Sequence, residues 1–222
     1  MNLMTVKPRR KPSQSRAWMT SVAIQDAFLM LVVERGYERV SMRNIATLAG
    51  VGLGTLYLYF PGKDSIAAVT VRSRLRKLAA DTQAASAAGG PRTVAETVHV
   101  LARVHVHTLL GEAAQWRALL VLERRITPPE VYRDLYKAFV QVFRDACAVA
   151  IDWPGELDLE RSALNAFAVI DALVKNALLV QDFCPDADAL LQEVESAVNG
   201  YFQRALERCR VVPASARCPG LQ

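Results

Sequence analysis

The feature that most constrains this chain is the stretch from Ser41 to Ser65, SMRNIATLAGVGLGTLYLYFPGKDS. It contains four glycines and two tyrosines, so it is too broken for one helix and too apolar for a solvated loop. Ala46, Ala49 and Gly50 provide the small residues that let two helices cross closely at a tight turn. The stretch therefore predicts a helix-turn-helix, whose second helix can enter a DNA major groove.

The apolar residues of this stretch follow helical spacing. Ser41 is predicted to cap the first helix, with Ile45 and Leu48 forming its buried face. Leu56 and Phe60, separated by four positions, are predicted to point inward from the second helix.

Helical patterns continue through the rest of the chain. The segment TVAE at Thr93–Glu96 predicts a capping box, and Asp158 and Asp186 can cap the last two helices. No segment alternates apolar and polar residues with a period of two, so the chain is predicted to be all-α, with about nine helices.

Charge is distributed unevenly along the 222 residues. Residues 1–80 contain thirteen basic and four acidic side chains, whereas the remainder carries a net negative charge. A basic first third predicts contact with a polyanion, and the alternative is a basic tail that only keeps the protein soluble. The 52% hydrophobic fraction indicates a globular chain with a sizeable core.

Composition also argues against several classes of protein. No run of about 18 uncharged apolar residues occurs, so no membrane span is expected. The N-terminus has basic residues without a following apolar core, unlike a secretory signal. The four cysteines are widely spaced without a CxxC pair, which argues against structural disulfides and a zinc site. We therefore expect a cytoplasmic protein.

Taken together, FLMLVVERGYERVSMRNIATLAGVGLGTLYLYFPGKDSI resembles the DNA-binding domain of the tetracycline-repressor (TetR) family. The matching motifs are the GY after the first helix, IA..AGV, GTLY.YF and the lysine that opens the fourth helix, and the match covers residues 16–70. The resemblance implies a DNA-binding transcriptional regulator, an operator on double-stranded DNA and a small-molecule effector, with no cofactor. A repressor released from a pseudo-palindromic operator is the expected function.

The resemblance assigns DNA contacts residue by residue. Thr55, Tyr57 and Tyr59 match positions that meet phosphates through hydroxyl groups, and Lys63 matches a phosphate anchor. Arg43 matches a position that reaches a base or a phosphate, and an arginine there can bind guanine with two hydrogen bonds. Packing is the alternative role of the tyrosines.

The start of the second helix departs from the family pattern. Gly52 stands where the family usually has Ser or Thr, and Leu53 stands where a polar residue is common. With Gly54, these residues offer no side-chain hydrogen bond to a base edge, although Leu53 can contact a thymine methyl and the glycines allow close backbone approach. Arg43 and the basic N-terminal arm KPRRKPSQSR are then the predicted sources of sequence preference.

The resemblance also implies how the chain is organised. The predicted parts are a flexible basic arm (1–15), a helix-turn-helix domain (16–62), a connecting helix (63–88), a ligand-binding and dimerisation domain (91–210) and a flexible tail (211–222). A homodimer is expected through residues 158–181 and 187–208. Within it, the residues expected in or beside the interface are Leu190, Leu191, Val194, Val198 and Tyr201.

Candidate effector contacts come from polar and aromatic residues in apolar helices: His105, Trp116, Tyr136, Phe139, Asn165, Phe167 and Asp171. For the aromatic residues core packing is the competing role, and Asp171 could instead pair with Lys175 one turn later. No catalytic constellation and no helical metal-site spacing occurs, so neither catalytic residues nor metal ligands are predicted. The alternative to a regulator is an all-helical carrier or enzyme with an incidental basic N-terminal domain.

Overall fold

A computed structural model describes residues 15–181 and 185–211 of the chain. Within these ranges the chain is entirely helical, as predicted, with nine α-helices and one short 3₁₀ turn at Tyr37–Arg39. The helices are α1 (Ser15–Arg35), α2 (Met42–Leu48), α3 (Leu53–Tyr59), α4 (Lys63–Ala87), α5 (Val94–Gly111), α6 (Ala113–Ile126), α7 (Pro129–Ala148), α8 (Leu159–Leu179) and α9 (Ala187–Val211). Except for Ser15 and Val211, the predicted basic arm and C-terminal tail lie outside the described residues.

The described residues form two compact units, and each unit is built from two separate segments of the chain. Unit 1 runs to Leu78 and also includes Gly111–Tyr136, so α6 belongs to the same unit as α1, α2 and α3. Unit 2 comprises Ala79–Leu110 and the described residues from Lys137 onward. The sequence-based boundaries divide the chain at other places, and the domain assignment stays a proposal.

In unit 1, α1 packs against α2 and α6. Phe28, Ile45, Leu56 and Phe60 are completely buried there, as predicted for the last three, because each lies on the inward face of its helix. Leu48 was expected beside Ile45, but its side chain is 47% exposed. That prediction is wrong because α2 has only seven residues and its buried face is limited to Ile45 and Ala46.

Helix ends follow the predicted capping residues. The Ser41 hydroxyl accepts a hydrogen bond from the Asn44 amide at 3.2 Å, and the Asn44 side chain accepts one from the Ser41 amide. Thr93 and Glu96 form the same reciprocal arrangement at the start of α5. The Asp158 and Asp186 carboxylates accept amide hydrogen bonds at the starts of α8 and α9. These bonds satisfy backbone donors that the first helical turn leaves free.

In unit 2, α8 and α9 pack against each other. Leu190, Leu191, Val194 and Val198 are at most 6% exposed within the single chain. These side chains are already buried against their own subunit, so their predicted place in or beside a dimer interface stays a prediction. The apolar stripe of α9 forms part of the core of unit 2.

Two described helical segments, Ala17–Arg35 and Leu159–Leu179, are long and apolar enough to cross a membrane by length and composition. Core helices of soluble proteins pass the same test, so this is weak evidence for a span. The absence of a membrane-spanning segment stays a prediction from the sequence.

Candidate nucleic-acid interface

The turn between α2 and α3 has the close geometry that the glycine pattern predicts. Gly50 has a φ of 66°, a backbone conformation that side-chain-bearing residues rarely adopt. The Val51 amide donates to the Ala46 carbonyl at 3.0 Å, which folds the chain back over the end of α2. Ala46 is only 4% exposed and α2 packs against α3, so a small side chain lies where the helices meet. The predicted helix-turn-helix is present.

Helix α3 buries a single residue, Leu56, and presents its other side chains outward. Leu53, Gly54, Thr55 and Tyr57 are exposed, and Tyr59 is partly buried. An outward face this complete is unusual for a helix whose role is packing, because a packed amphipathic helix hides about a third of its surface or more. The predicted recognition helix therefore keeps its surface available for a partner.

The first turn of α3 has no side-chain cap. Gly52 occupies the N-cap position with an extended backbone and makes no side-chain hydrogen bond. A Cβ atom at Gly52 would meet only Thr55 Oγ1, at 3.8 Å, and one at Gly54 would meet nothing within 4 Å. The space needed for close approach of another backbone is thus open at both glycines, as the sequence predicts.

Arg43 lies exposed on α2, the helix that packs against α3. None of the described contacts engages its guanidinium in an ion pair or hydrogen bond within the chain. An exposed arginine beside a recognition helix has the five donors and the reach needed for a base edge or a phosphate.

Lys63, at the start of α4, makes two contacts with Tyr37 in addition to its predicted role as a phosphate anchor. Its Nζ atom donates to the Tyr37 carbonyl at 2.9 Å and lies 4.2 Å from the centre of the Tyr37 ring. The side chain is only partly exposed. The ammonium has three donors, so this contact orients the group and leaves two donors for a phosphate.

Tyr37 is the centre of a cluster that sequence reasoning missed, although its GY motif was noted. Its hydroxyl donates to Asp64, and its ring packs edge-on against Phe28 at 6.2 Å. Burial, followed by the hydrogen bond and charge of Asp64, raises the pKa of Tyr37. Tyr37 therefore keeps its proton and acts as a donor throughout the physiological range.

The cluster is completed by Arg125 from the last turn of α6. Its guanidinium pairs with the Glu38 carboxylate and lies 5.1 Å from the centre of the Tyr37 ring. The hydrogen bond and charge of Glu38 raise the pKa of Arg125. Nothing in the local sequence could have identified this contact, because Arg125 and Glu38 are 87 positions apart.

Four of the candidate effector residues lie together in unit 2. The Phe139 and Phe167 rings stack at 5.2 Å, and His105 packs edge-on against both rings. His105 Nε2 is 4.0 Å from Asp171 Oδ1, and Asp171 Oδ2 accepts from Lys175 Nζ at 2.8 Å. The predicted Asp171–Lys175 pair is thus present.

His105 is the unusual member of this group. It is 3% exposed, and neither ring nitrogen has a hydrogen-bond partner. Burial lowers the pKa of His105 to about 4, against the opposing charge of Asp171. A buried imidazole without partners is costly, and such sites often bind a group that supplies the missing hydrogen bond.

The other three candidates lie elsewhere. Asn165 donates to the Tyr201 hydroxyl at 2.9 Å, and both line an open groove of about 490 Å³ between the start of α8 and the end of α9. Trp116 is buried on α6 in unit 1, where its indole nitrogen has no hydrogen-bond partner. Tyr136 is partly buried in unit 1, with its ring 6.0 Å from that of Tyr132.

Residues 24–69 match the model of bacterial regulatory proteins of the tetR family. The chain is 31% identical over 185 residues to the HTH-type transcriptional regulator BetI of Rhizobium meliloti, covering 82% of this chain and 88% of BetI. It is 40% identical over 67 residues to the HTH-type transcriptional repressor KstR of Mycolicibacterium smegmatis, a match that spans 30% of this chain and only a third of KstR.

Solved structures show a similar fold. The transcriptional regulator FadR from Bacillus subtilis, in complex with stearoyl-CoA, superposes with a TM-score of 0.66 at 22% identity. The superposition covers 80% of this chain and 96% of that protein. The similarity to BetI over most of both chains favours a regulator over the helical carrier or enzyme that the sequence left open.

Proposed function

The chain belongs to the tetR family of bacterial regulatory proteins and is a DNA-binding transcriptional regulator, and on that premise we propose that it is a repressor released from its operator by a small molecule. The observation that carries the DNA-binding role is the outward surface of α3, which buries only Leu56. The family also supports a cytoplasmic location and a role without catalysis.

The proposed DNA contacts are of two kinds: some position the protein on the phosphate backbone, and others read the bases. Hydroxyl groups of Thr55, Tyr57 and Tyr59 would bind phosphates and hold α3 in the major groove. Lys63 would bind a phosphate with the ammonium donors that Tyr37 leaves free. These contacts set the position of the protein without carrying sequence information.

Reading of the bases would fall to Arg43, because Gly52, Leu53 and Gly54 at the start of α3 carry no polar side chain. Gly52 and Gly54 would allow the backbone close to the duplex, and Leu53, 37% exposed, would contact a thymine methyl. Selection from a random duplex library, followed by binding to the recovered sequences, tests this assignment. Recovery of no preferred sequence by the full-length protein would contradict a specific operator.

The homodimer would be formed by α8 and α9, with the exposed face of α8 in the interface. Leu164 and Leu179 are 45% and 42% exposed, and Ala172 is exposed between them. Small and apolar residues on an open helix face suit close packing of α8 and α9 against a second copy. A two-fold dimer also implies a pseudo-palindromic operator with half-sites about one helical turn apart or more.

Ala172→Arg should convert the dimer to monomer in sedimentation analysis, because each copy would bring a bulky charged side chain into the interface. Ala148→Arg, an exposed alanine at the end of α7, is the matched control and should leave the dimer intact. A wild-type protein that sediments as a monomer at micromolar concentration would overturn the dimer.

The effector would bind in unit 2 at His105, Asp171 and the stacked Phe139–Phe167 pair. The unpartnered imidazole is the group whose hydrogen bonds a ligand would satisfy, and the rings would provide apolar contact. Asn165, beside Tyr201, and the buried Trp116 and Tyr136 remain further candidates.

Thermal-shift measurement with a small-molecule panel tests the effector site, and stearoyl-CoA is the first compound because a structurally similar regulator binds it. A true effector should stabilise the wild-type protein, stabilise His105→Gln less, and lower DNA affinity. The coupling is reciprocal and typically about 1–3 kcal/mol. A tight ligand of this site that left DNA affinity unchanged would contradict release by effector.

A further inference from the structure

The Tyr37 ring joins three helices of unit 1 through contacts that differ in kind. Phe28 of α1 packs against the ring, and Arg125 of α6 lies over it. At the start of α4, Lys63 donates to the Tyr37 backbone carbonyl, and Asp64 accepts from the Tyr37 hydroxyl. Two cations and two carboxylates, those of Asp64 and Glu38, therefore surround one aromatic side chain.

The Arg125–Glu38 pair adds little to stability by itself. The two side chains are 54% and 70% exposed, and ion pairs this open contribute almost nothing measurable in most proteins. Its effect is geometric, because Glu38 and Tyr37 are consecutive and Arg125 contacts both. The guanidinium thus contacts the side chains of two consecutive residues of the 3₁₀ turn at the same time.

The same turn fixes Lys63. The Lys63 ammonium is bound to the carbonyl of Tyr37 and lies over its ring, so any displacement of this turn also displaces the charge. Arg125 does not itself contact Lys63 in the described structure. Its influence on the ammonium passes through Tyr37.

We propose that Arg125 is a positioning residue for Lys63. The inference rests on the proposed role of Lys63 as a phosphate contact. It adds a residue outside the 24–69 segment that the family model matches. Without the guanidinium, the turn would loosen and the anchor would be misplaced, although α3 is untouched.

The test needs no operator, because a phosphate anchor acts on every sequence. Full-length wild type, Arg125→Gln, Lys63→Ala and the double variant are titrated with a 30-base-pair duplex of random sequence at several salt concentrations. The control is Arg124→Gln, which removes the neighbouring arginine, whose guanidinium lies 5.7 Å from the centre of the Tyr132 ring.

Lys63→Ala should weaken binding and lower the salt slope by about one unit. Arg125→Gln should weaken binding about threefold, the effect expected from losing one exposed cation–π contact. In the Lys63→Ala background, Arg125→Gln should have no further effect, whereas Arg124→Gln should leave the wild-type affinity unchanged.

A threefold loss that persists in the Lys63→Ala background would overturn the proposal, since Arg125 would then act through its own charge. An unchanged affinity of Arg125→Gln would overturn it as well. If Lys63→Ala itself binds like wild type, the phosphate role of Lys63 fails, and the inference fails with it. The two failures are distinguishable, because the earlier outcomes overturn the inference while Lys63→Ala still binds more weakly.

A spectroscopic measurement separates positioning from general destabilisation. The side-chain methylene signals of Lys63, identified by their loss in Lys63→Ala, should be shifted upfield by the Tyr37 ring. Arg125→Gln should move them towards their ordinary positions, and Arg124→Gln should not. If Arg125→Gln fails to fold, Arg125→Lys gives the same test, because lysine keeps the charge but not the planar group. Unmoved signals in a folded variant would refute the proposal.

Discussion

Helices α3 and α8 differ in how much of their surface is buried. Of the seven residues of α3 only Leu56 is buried, while α8 buries eight of its 21 residues, including Ser162. The outward side chains of α3 are free to meet DNA, and the inward groups around α8 include an ion pair beside a buried histidine. The proposed DNA contacts thus lie on an exposed helix face, whereas the proposed effector contacts lie in a core.

The two regions also treat polar groups differently. In unit 1 the charges around Tyr37 are paired and largely exposed, so they orient one another at little energetic cost. In unit 2 the His105 nitrogens are buried without hydrogen bonds. A group in that state is destabilising until a ligand satisfies it.

The largest change in stability is expected at the buried face of α3, and the exposed face provides the comparison. Leu56→Ala should lower the free energy of unfolding by about 2–5 kcal/mol, because it leaves a cavity at a completely buried site. Leu53→Ala on the exposed face should change it by at most about 0.5 kcal/mol. Urea denaturation of both variants measures this difference. Equal losses would mean that the exposed face of α3 is packed as well.

The next effect concerns the buried histidine of unit 2. The pKa of His105 is about 4 in the folded chain and near the ordinary 6.5 when unfolded, so the unfolded chain binds more protons between these values. The stability due to neutral His105 is complete above pH 6.5 and is lost as the pH falls towards 4. The loss between pH 7 and pH 5 should be on the order of 2 kcal/mol.

Urea denaturation at both pH values measures this loss. His105→Leu should remove most of the pH dependence, whereas His99→Gln, at a site 49% exposed, should retain it. Asp171 and Lys175 are the charged groups facing His105, and they stay in both variants. An unchanged pH dependence in His105→Leu would show that the imidazole is hydrated.

A third effect separates reading from positioning within unit 1. Arg43→Ala should cost about 1–3 kcal/mol on the selected operator and relax the preference at one base position. Lys63→Ala should instead weaken all sequences alike. Fluorescence anisotropy with operator and random duplexes distinguishes them. An equal loss on both duplexes for Arg43→Ala would make Arg43 a phosphate contact and leave the readout to Leu53 and the backbone.

Removal of a helix cap is expected to have the smallest effect on stability, and the same effect in both units. Ser41 and Thr93 cap α2 and α5 with equivalent reciprocal bonds. Ser41→Ala and Thr93→Ala should each lower stability by about 1 kcal/mol, as measured by thermal unfolding. A much larger loss for Ser41→Ala would show that the cap also holds the helix-turn-helix in place.

Local features were predictable because their causes lie within a few residues. Gly50 has the positive φ that the tight turn requires, and the caps at Ser41 and Thr93 use residues three positions apart. The inward positions of Leu56 and Phe60 follow from helical spacing alone. The motif, its exposed residues and the all-helical fold are therefore encoded in short stretches of sequence.

The sequence also led to one specific error. It placed Leu48 on the buried face of α2, because periodicity identifies an apolar face without saying what covers it. Only the tertiary structure shows that α9 buries its stripe within its own subunit.

The all-helical fold, the helix-turn-helix and the helix caps follow from short stretches of sequence, because backbone conformation and side-chain periodicity act over a few residues. Three other features appear only in the folded chain: Arg125 reaches Tyr37, Lys63 is bound to a carbonyl, and His105 lies near Asp171 without a hydrogen bond. The physical reason is that these contacts join residues far apart in the chain. Which side chains meet depends on how whole helices pack, and neither spacing nor composition specifies that packing.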